Sequence, residues 1–211
     1  LAEDIAHDLD ELFLNKIRLL KIMAASPEVR SLDSTRMTPL LERVARQYPE
    51  FQVVVAADAN GRQIARSDGV SADGAINYQD RDYFQQAVQT GTTAISDVLT
   101  SKSAGMLGVV LAEPIRDSSG TISGLLIFNL GLDNLRWFTT HVHLGDQAYA
   151  YAINRNGRVI LHPNPDYMES MADFSDRGPV RQAAAGFTGW LEYTHDGQKF
   201  LTGYSHVPSV S

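Results

Sequence analysis

The residues best suited to bind a ligand lie in one short stretch, residues 76–84, with the sequence Ile-Asn-Tyr-Gln-Asp-Arg-Asp-Tyr-Phe. Arg81 carries a planar, permanently charged guanidinium that matches a carboxylate through two parallel hydrogen bonds. Tyr78 and Tyr83 add aromatic surface and hydroxyl groups. The stretch follows a Gly-containing loop and begins a predicted helix, where backbone N–H groups are free to bind an anion. It predicts reversible binding of a small polar molecule.

The same residues also have structural interpretations. Arg81 could instead form a salt bridge with a nearby aspartate; the candidates are Asp80, Asp82 and Asp97. Tyr83 and Phe84 are neighbours on the predicted helix and point about 100° apart, so only one of them can face a pocket squarely. We expect Tyr83 to face the pocket and Phe84 to pack in the core.

A second candidate position lies on the predicted strand 121–130. Side chains alternate between the two faces of a strand, so Leu125, Ile127 and Asn129 share one face. An Asn buried beside two apolar residues needs a hydrogen-bond partner, which is either a ligand or a backbone group near the strand end. Four further polar residues could line the same cavity: Ser96, Asp97, Arg66 and Ser67.

The sequence contains no recognisable catalytic, metal or cofactor motif. The phosphate-binding patterns G-x-x-x-x-G-K-[ST] and G-x-G-x-x-G are absent. His141 and His143 lie two apart, a spacing that points them away from each other on a helix. Ser123 comes one place too late for a nucleophile elbow. We therefore predict no metal, no cofactor and no enzymatic activity; the enzyme alternative would use Asp97, Arg81 and a tyrosine for acid–base chemistry.

Composition limits the partners. The 211 residues are 44% hydrophobic, enough for one large or two small cores, and carry a net charge of −7 with a pI near 5.3. The 18 basic residues are scattered, which argues against nucleic-acid binding. The absence of cysteine excludes disulfides and fits an oxidising compartment. No apolar run approaches the roughly 20 residues of a membrane span. We expect the chain to be a segment excised from a longer protein.

A long helix is predicted at the start of the chain. Apolar residues from Leu1 to Met23 recur at helical spacing over residues 1–25, and Pro27 ends the pattern. The apolar stripe of this helix could pack on the domain, on a second copy of the chain, or on both. A second helix is predicted over residues 35–48, with Ser34 or Thr35 as its N-cap and Pro49 as its stop.

The remaining pattern repeats. A strand at 51–57, a turn at Asn60–Gly61 and a return strand at 62–67 are echoed by residues 149–153, Asn156–Gly157 and 158–162. Gly157 follows Gly61 by 96 positions, and residues 86–92 are echoed at 182–188 with the same offset. The echo predicts a duplicated module. Further strands are predicted at 94–99, 106–115, 121–130, 188–195 and 198–207, with a connecting helix at 132–143. The turns between strands are too short for parallel crossovers, so we expect an α+β fold with mostly antiparallel sheets.

Several of these segments, in this order and spacing, resemble the double Cache sensor family. They are residues 78–84, 95–97, 112–117, Gly120, 124–130 and 153–163, together with the long amino-terminal helix. The resemblance covers essentially the whole chain. It implies a long amino-terminal helix and linker at 1–33, a membrane-distal PAS-like module at 34–138, and a membrane-proximal PAS-like module at 139–211. Each module would be a mostly antiparallel sheet with flanking helices.

The resemblance also implies a location and partners. Such modules form the periplasmic or extracellular part of chemoreceptors, sensor histidine kinases and diguanylate cyclases. We therefore expect flanking transmembrane helices and a cytoplasmic output domain in the parent protein. A homodimer through the amino-terminal helix is a further expectation. The proximal module has its own candidate pocket loop at 163–178, with Asp166, Tyr167 and Asp173. This module could bind a ligand of its own, but we expect it to relay the signal.

The ligand is expected in the distal module. In the amino-acid-binding branch of the family, an arginine and aromatic residues hold the ligand carboxylate; by that pattern the carried-over residues are Arg81, Tyr83 and Tyr78. The family's last-strand aspartate, which takes the amine, is replaced by Asn129, and a neutral amide gives an ammonium no charge partner. Asp97 is the candidate substitute. The predicted ligand is a carboxylate or an amino-acid-like metabolite; the alternative function is a ligand-free dimerisation or interaction module.

Overall fold

The computed structural model describes residues 1–71, 76–136, 139 and 148–210. Its helices are α1 (Ala2–Ala24), α2 (Pro27–Arg30), α3 (Ser34–Gln47), α4 (Asp82–Thr90), α5 (Leu132–Leu135), α6 (Pro165–Glu169) and α7 (Gly178–Ala184). A 3₁₀ turn follows at Pro208–Val210. The strands are β1 (Phe51–Asp58), β2 (Gln63–Arg66), β3 (Ala94–Ile95), β4 (Leu99–Thr100), β5 (Leu107–Arg116), β6 (Ile122–Gly131), β7 (Ala152–Ile153), β8 (Val159–Leu161), β9 (Gly189–His195) and β10 (Gln198–Tyr204). The mixture of helices and antiparallel sheets after a long first helix confirms the predicted α+β fold class.

The three amino-terminal helices follow local sequence signals. Helix α1 ends within two residues of the predicted limit, and its buried residues recur at helical spacing. They are Ala6, Leu9, Phe13, Lys16, Leu20, Met23 and Ala24. Ser26 caps α2, and Asp33 caps α3 by accepting a hydrogen bond from Thr35 N–H at 2.8 Å. The predicted cap at Ser34 or Thr35 was therefore wrong. Asp33 lies in an extended conformation, with φ −96° and ψ 114°, and its carboxylate reaches the first free N–H groups.

A six-stranded antiparallel sheet carries two of the predicted ligand-binding residues, Arg66 on β2 and Asn129 on β6. Its strand order is β2-β1-β6-β5-β3, and β4 also pairs with β5. The strand predicted at 94–99 is split: Ile95 pairs with Leu111, but Leu99 pairs with Gly108. Between these two pairs the chain advances by four residues from 95 to 99, whereas β5 advances by only three from 111 to 108. The extra residue makes a β-bulge, which the alternation of apolar residues in the sequence does not reveal.

Two compact units divide the chain. The sheet unit is Lys16–Asn134, and the C-terminal unit combines Leu1–Asn15 with Leu135–Ser211. The C-terminal unit holds two two-stranded antiparallel sheets, β7–β8 and β9–β10, together with α6 and α7. Helix α5 starts where the connecting helix was predicted; residues 137, 138 and 140–147, which include His141 and His143, lie outside the described residues. The division at residues 33 and 138 remains a prediction.

The two faces of the six-stranded sheet are covered differently. Alternation along β1 and β6 places Val53, Val55 and Ile127 in a buried cluster with Tyr83 and Phe84 from α4. Helix α3 packs against β1 and β2 and, among the described residues, contributes none of its side chains to that cluster. The face covered by α4 is therefore the one that carries the candidate site. Among the described residues, no helix combines the length and the apolar composition needed to cross a membrane.

Lys16 is a buried cation within the sheet unit. Its ammonium pairs with Glu50 and lies 4.3 Å from the centre of the Tyr48 ring. Only 7% of Lys16 is exposed. Because an ammonium loses hydration on burial, the ion pair and the ring must compensate for that loss.

Replacing Lys16 by Met is expected to lower the free energy of unfolding by about 1 kcal/mol, because the apolar stem is kept while Glu50 loses its partner. Urea unfolding measures the change. Lys21→Met on the exposed side of the same helix is the matched control and should change stability by less than about 0.5 kcal/mol. Equal effects of the two substitutions would contradict a stabilising role for the buried pair.

Candidate ligand-binding site

Helix α4 brings the predicted aromatic residues onto the sheet. Its first turn follows Arg81 directly, and Gly91 ends it in the left-handed conformation, φ 66°. Tyr83 and Phe84 are each only 3% exposed and belong to one buried cluster. Phe84 therefore packs in the core as predicted, and Tyr83 packs in the same cluster; that Tyr83 contacts a ligand stays a prediction. Burial raises the pKa of Tyr83 well above its ordinary value, so its hydroxyl stays protonated.

Tyr78 is 1% exposed and is held through its hydroxyl group. The hydroxyl donates to Gln63 Oε1 at 2.6 Å and shares a second hydrogen bond with Ser103 Oγ at 2.6 Å. Burial raises the pKa of Tyr78, so the phenol is neutral. Tyr78 thus ties strand β2 to the loop after β4.

Arg66 and Ser67 are engaged by neighbouring residues. The Arg66 guanidinium donates two hydrogen bonds to the Asp68 carboxylate, at 2.6 and 2.5 Å, and a third to the Ser103 carbonyl at 2.9 Å. The bond to Asp68 raises the pKa of Arg66 despite its burial. Ser67 Oγ accepts from Val54 N–H at 2.9 Å and so extends the β1–β2 pairing. Both side chains therefore form hydrogen bonds within the protein.

Asn129 lies in the middle of the sheet, paired in register with Val53 on one side and Val110 on the other. Only 3% of it is exposed. Its Oδ1 accepts from Ser101 Oγ at 2.6 Å, and its Nδ2 donates to the Val53 carbonyl at 3.3 Å. Both ends of the amide are therefore paired within the chain, which matches the backbone interpretation and adds a serine that the sequence did not indicate.

Ser96 and Asp97 occupy the bulge between β3 and β4. Ser96 Oγ donates to the Asp97 carbonyl at 2.6 Å and accepts from Val110 N–H at 2.9 Å. Asp97 Oδ1 accepts from Val98 N–H at 2.7 Å. Where the strand is interrupted, these side-chain hydrogen bonds satisfy backbone groups that regular strand pairing would otherwise satisfy.

Residues 100–104, here the 100–104 segment, connect nearly all of these groups. Within this segment, Ser101 is hydrogen-bonded to Asn129 on β6. Ser103 is hydrogen-bonded to Arg66 on β2 through its carbonyl and to Tyr78 through its hydroxyl group. Lys102 Nζ donates to the Asn77 carbonyl at 2.7 Å and to Asp80 Oδ1 at 2.5 Å. Ser101, Lys102, Ser103 and Gln63 are not identifiable as site residues from the sequence. The only sequence signal of the three residues at 101–103 is the short polar run Thr-Ser-Lys-Ser at 100–103, which has no helical or strand periodicity.

Arg81 differs from the other candidates because it is incompletely paired. One terminal nitrogen, Nη2, donates to the Thr100 carbonyl at 3.2 Å. Its Nε is buried and has no hydrogen-bond partner among the described residues. A neighbouring open cavity of about 580 Å³ is lined by Asn77, Gln79, Asp80, Gln85 and Lys102. No group of three or more His, Asp or Glu side chains within the described part of the chain is arranged to bind a metal ion.

The sheet unit is an antiparallel sheet with a helix and polar loops over one face, in a chain that begins with a long helix. The whole chain, residues 1–211, matches the family described as Cache domain, and it belongs to that family. This confirms the resemblance seen in the sequence. Because the Cache domain is a sensor fold, the chain is a sensor domain and not an enzyme.

Comparison with individual proteins agrees with this assignment. The chain is 26% identical over 152 residues to the methyl-accepting chemotaxis protein McpA of Bacillus subtilis, covering 71% of this chain and 22% of that protein. It superposes on the extracellular domain of the histidine kinase mmHK1S-Z2 with a TM-score of 0.77 and 17% identity, covering 99% and 90% of the two chains. It also superposes on the ligand-binding domain of the Pseudomonas fluorescens chemoreceptor CtaA in complex with L-serine, with a TM-score of 0.74 and 16% identity, covering 95% and 84%.

The chain spans about a quarter of the length of the curated relatives it matches. The solved structures with its fold include extracellular and ligand-binding domains of receptors, in agreement with the predicted location outside the cytoplasm.

Proposed function

We propose that this chain is the extracytoplasmic ligand-binding region of a transmembrane signalling receptor. In the parent protein, flanking transmembrane helices would connect it to a cytoplasmic output domain. The sheet unit binds a small polar metabolite that carries a carboxylate, between the sheet and the loops at residues 76–81 and 100–104. Membership of the Cache family and the similarity to a chemotaxis protein and to a histidine kinase domain support the proposal.

The observation that carries the ligand assignment is the unpartnered Nε–H of Arg81. A buried donor without an acceptor costs roughly 1–3 kcal/mol, and more when the group is charged. A ligand carboxylate removes that cost, since it can accept from Nε and a terminal nitrogen of the same guanidinium in parallel. It would take the place of the weak 3.2 Å bond to the Thr100 carbonyl.

The hydrogen bonds that the 100–104 segment makes to Arg81 and Asn129 can be replaced by hydrogen bonds to a ligand. A ligand hydroxyl can replace Ser101 Oγ at the Asn129 amide, and the displaced serine becomes hydrated. Because Asn129 is neutral, the site favours a carboxylate with a hydroxyl group, and an amino acid would need the charge of Asp97 for its ammonium. Ligand binding stabilises one arrangement of the 100–104 segment, and a difference of about 1–3 kcal/mol between arrangements is enough for signalling.

A thermal-shift screen tests the proposal, with lactate, malate, succinate, L-serine and L-alanine as probes. A ligand of the sheet unit is expected to raise the melting temperature by about 5–10 °C at about one hundred times its Kd. Arg81→Ala should weaken the affinity about tenfold or more by removing the charged donor. Arg43→Ala, which removes an exposed arginine from α3, is the matched control and should bind normally.

A ligand-free dimerisation module is the second candidate, because Tyr78, Tyr83 and the 100–104 segment already fill the face under α4. If the chain is such a module, no probe changes the melting temperature. The molecular mass then rises to that of a dimer as the protein concentration increases, with α1 forming the dimer contact. A saturable shift that Arg81→Ala leaves unchanged would contradict the proposed site while leaving the sensor assignment intact.

A further inference from the structure

A cluster of aromatic rings surrounds a buried histidine in the C-terminal unit. The ring of His162 lies 4.9 Å from Tyr149, 4.8 Å from Tyr167 and 6.0 Å from Tyr151, measured between ring centroids. Phe174 completes the aromatic cage at 6.2 Å. Tyr149 and Tyr167 are 43% and 39% exposed, so the cage opens to solvent on their side.

The hydrogen bonds of His162 fix its protonation. Its Nδ1 accepts from the backbone N–H of Asn164 at 2.9 Å, so in the neutral ring the proton lies on Nε2. Burial and the charge of Arg177 lower the pKa of His162, which keeps the ring neutral at pH 7. Only 4% of His162 is exposed, and Nε2 has no partner among the described residues. It is a buried donor without an acceptor.

Arg177 provides a second unpartnered donor in the same cage. Its guanidinium carbon lies 3.2 Å from the centre of the Phe174 ring, and its Nε is buried without a hydrogen-bond partner in the described part of the chain. Burial raises the pKa of the neighbouring Tyr151 to about 12, although Arg177 acts in the opposite direction through its charge and a hydrogen bond. The tyrosine therefore stays neutral, and Arg177 keeps a net positive charge in the cage.

These groups define the chemistry of a ligand. Buried donors are normally paired, and both unpartnered atoms here are donors, so the missing partner supplies acceptors. Aromatic cages also attract cations, but the guanidinium of Arg177 already lies over Phe174 and repels a second positive charge. The aromatic rings of the cage suit a ligand whose remaining part is flat or apolar.

We propose that the C-terminal unit holds a second binding site, in which His162 Nε2–H and Arg177 bind the carboxylate of a small aromatic or apolar monocarboxylate. The site lies outside the sheet unit and is independent of the ligand proposed there. It assigns a ligand class and named donors to the unit for which the sequence alone favours a signal-relaying role.

Calorimetric titration with benzoate tests this site. Benzoate is expected to bind saturably, and benzamide, which has the same shape without the charge, about tenfold more weakly or not at all. His162→Phe and Arg177→Met each remove one donor and should weaken benzoate binding about tenfold or more. His7→Phe and Arg155→Met replace exposed residues of the same types in the same unit and should bind benzoate normally. Arg81→Ala should also leave it unchanged.

A measurement on the unsubstituted protein covers the case in which a cage variant fails to fold. In nitrogen-15 spectra of the histidine rings, benzoate should protect one Nε2–H from exchange with water, and that signal should be missing in His162→Phe. The proposal is overturned if benzoate does not bind, if both donor variants bind it normally, or if benzyltrimethylammonium binds in its place.

Discussion

Replacement of Gly124 by alanine is expected to destabilise the sheet unit by about 3 kcal/mol. Gly124 lies on β6, where it pairs with Asp58 of β1 and Ile115 of β5. A Cβ atom added there would overlap the carbonyl oxygen of Ala57. That oxygen belongs to the backbone of a central strand, so relief of the overlap requires the β1–β6 pair to separate locally. The strands around Asn129 would lose register or hydrogen bonds.

Gly131→Ala on the same strand is the matched control. Its Cβ would meet atoms of the Gln52 side chain at 2.8–3.0 Å, and a side chain can move where a strand backbone cannot. We expect a loss of less than about 1.5 kcal/mol for this substitution. Urea unfolding of the two variants measures the difference. Equal losses would show that the close approach of β1 to Gly124 is not a constraint on the sheet.

Replacement of Asn129 by aspartate is expected to cost about 2–4 kcal/mol at pH 7. The new carboxylate could still accept from Ser101, but its second oxygen would face the Val53 carbonyl where Nδ2 now donates. Two acceptors would then oppose each other at a position only 3% exposed. Burial and this repulsion raise the pKa of the aspartate above the value of about 3.9 in the unfolded chain.

The sign of the pH dependence follows from that raised pKa. The folded variant binds its proton more tightly than the unfolded chain, so the penalty is largest at pH 7 and fades as the pH falls towards 4. Asn77→Asp is the matched control, since the exposed Asn77 also accepts through Oδ1, from Gln79 N–H, and donates through Nδ2, to the Asn60 carbonyl. It should cost less than about 1 kcal/mol. A penalty for Asn129→Asp that does not depend on pH would contradict a buried, neutral position.

Much of the local structure is predictable because its causes are local. The apolar spacing before Pro27 defines α1, and Gly61 and Gly157 lie at φ 78° and 77° in the two hairpin turns where Asn-Gly pairs predicted them. The long apolar strands β5 and β6 begin and end within one residue of their predicted limits. In each case the signal is a periodicity or a turn residue within a few positions of the element it determines.

The candidate site is less predictable because its contacts join distant parts of the chain. Ser101 and Asn129 are 28 positions apart, and Arg66 and Ser103 are 37 apart. No periodicity links such pairs, and a polar loop such as 100–104 resembles any solvated loop until the sheet brings it close. Whether Tyr83 faces a pocket or the core likewise depends on what α4 packs against.

The sequence by itself therefore determined the fold class, the family and the residue types available to a ligand, since periodicity, turn chemistry and motif order are properties of the chain. Only the tertiary structure decided which of those residues are already engaged. Asn129, Tyr78 and Arg66 are paired within the chain, whereas Arg81, His162 and Arg177 keep buried donors without partners among the described residues. The physical reason is that the availability of a polar group depends on burial and on partners brought together across the fold, and neither is encoded in the spacing of neighbouring residues.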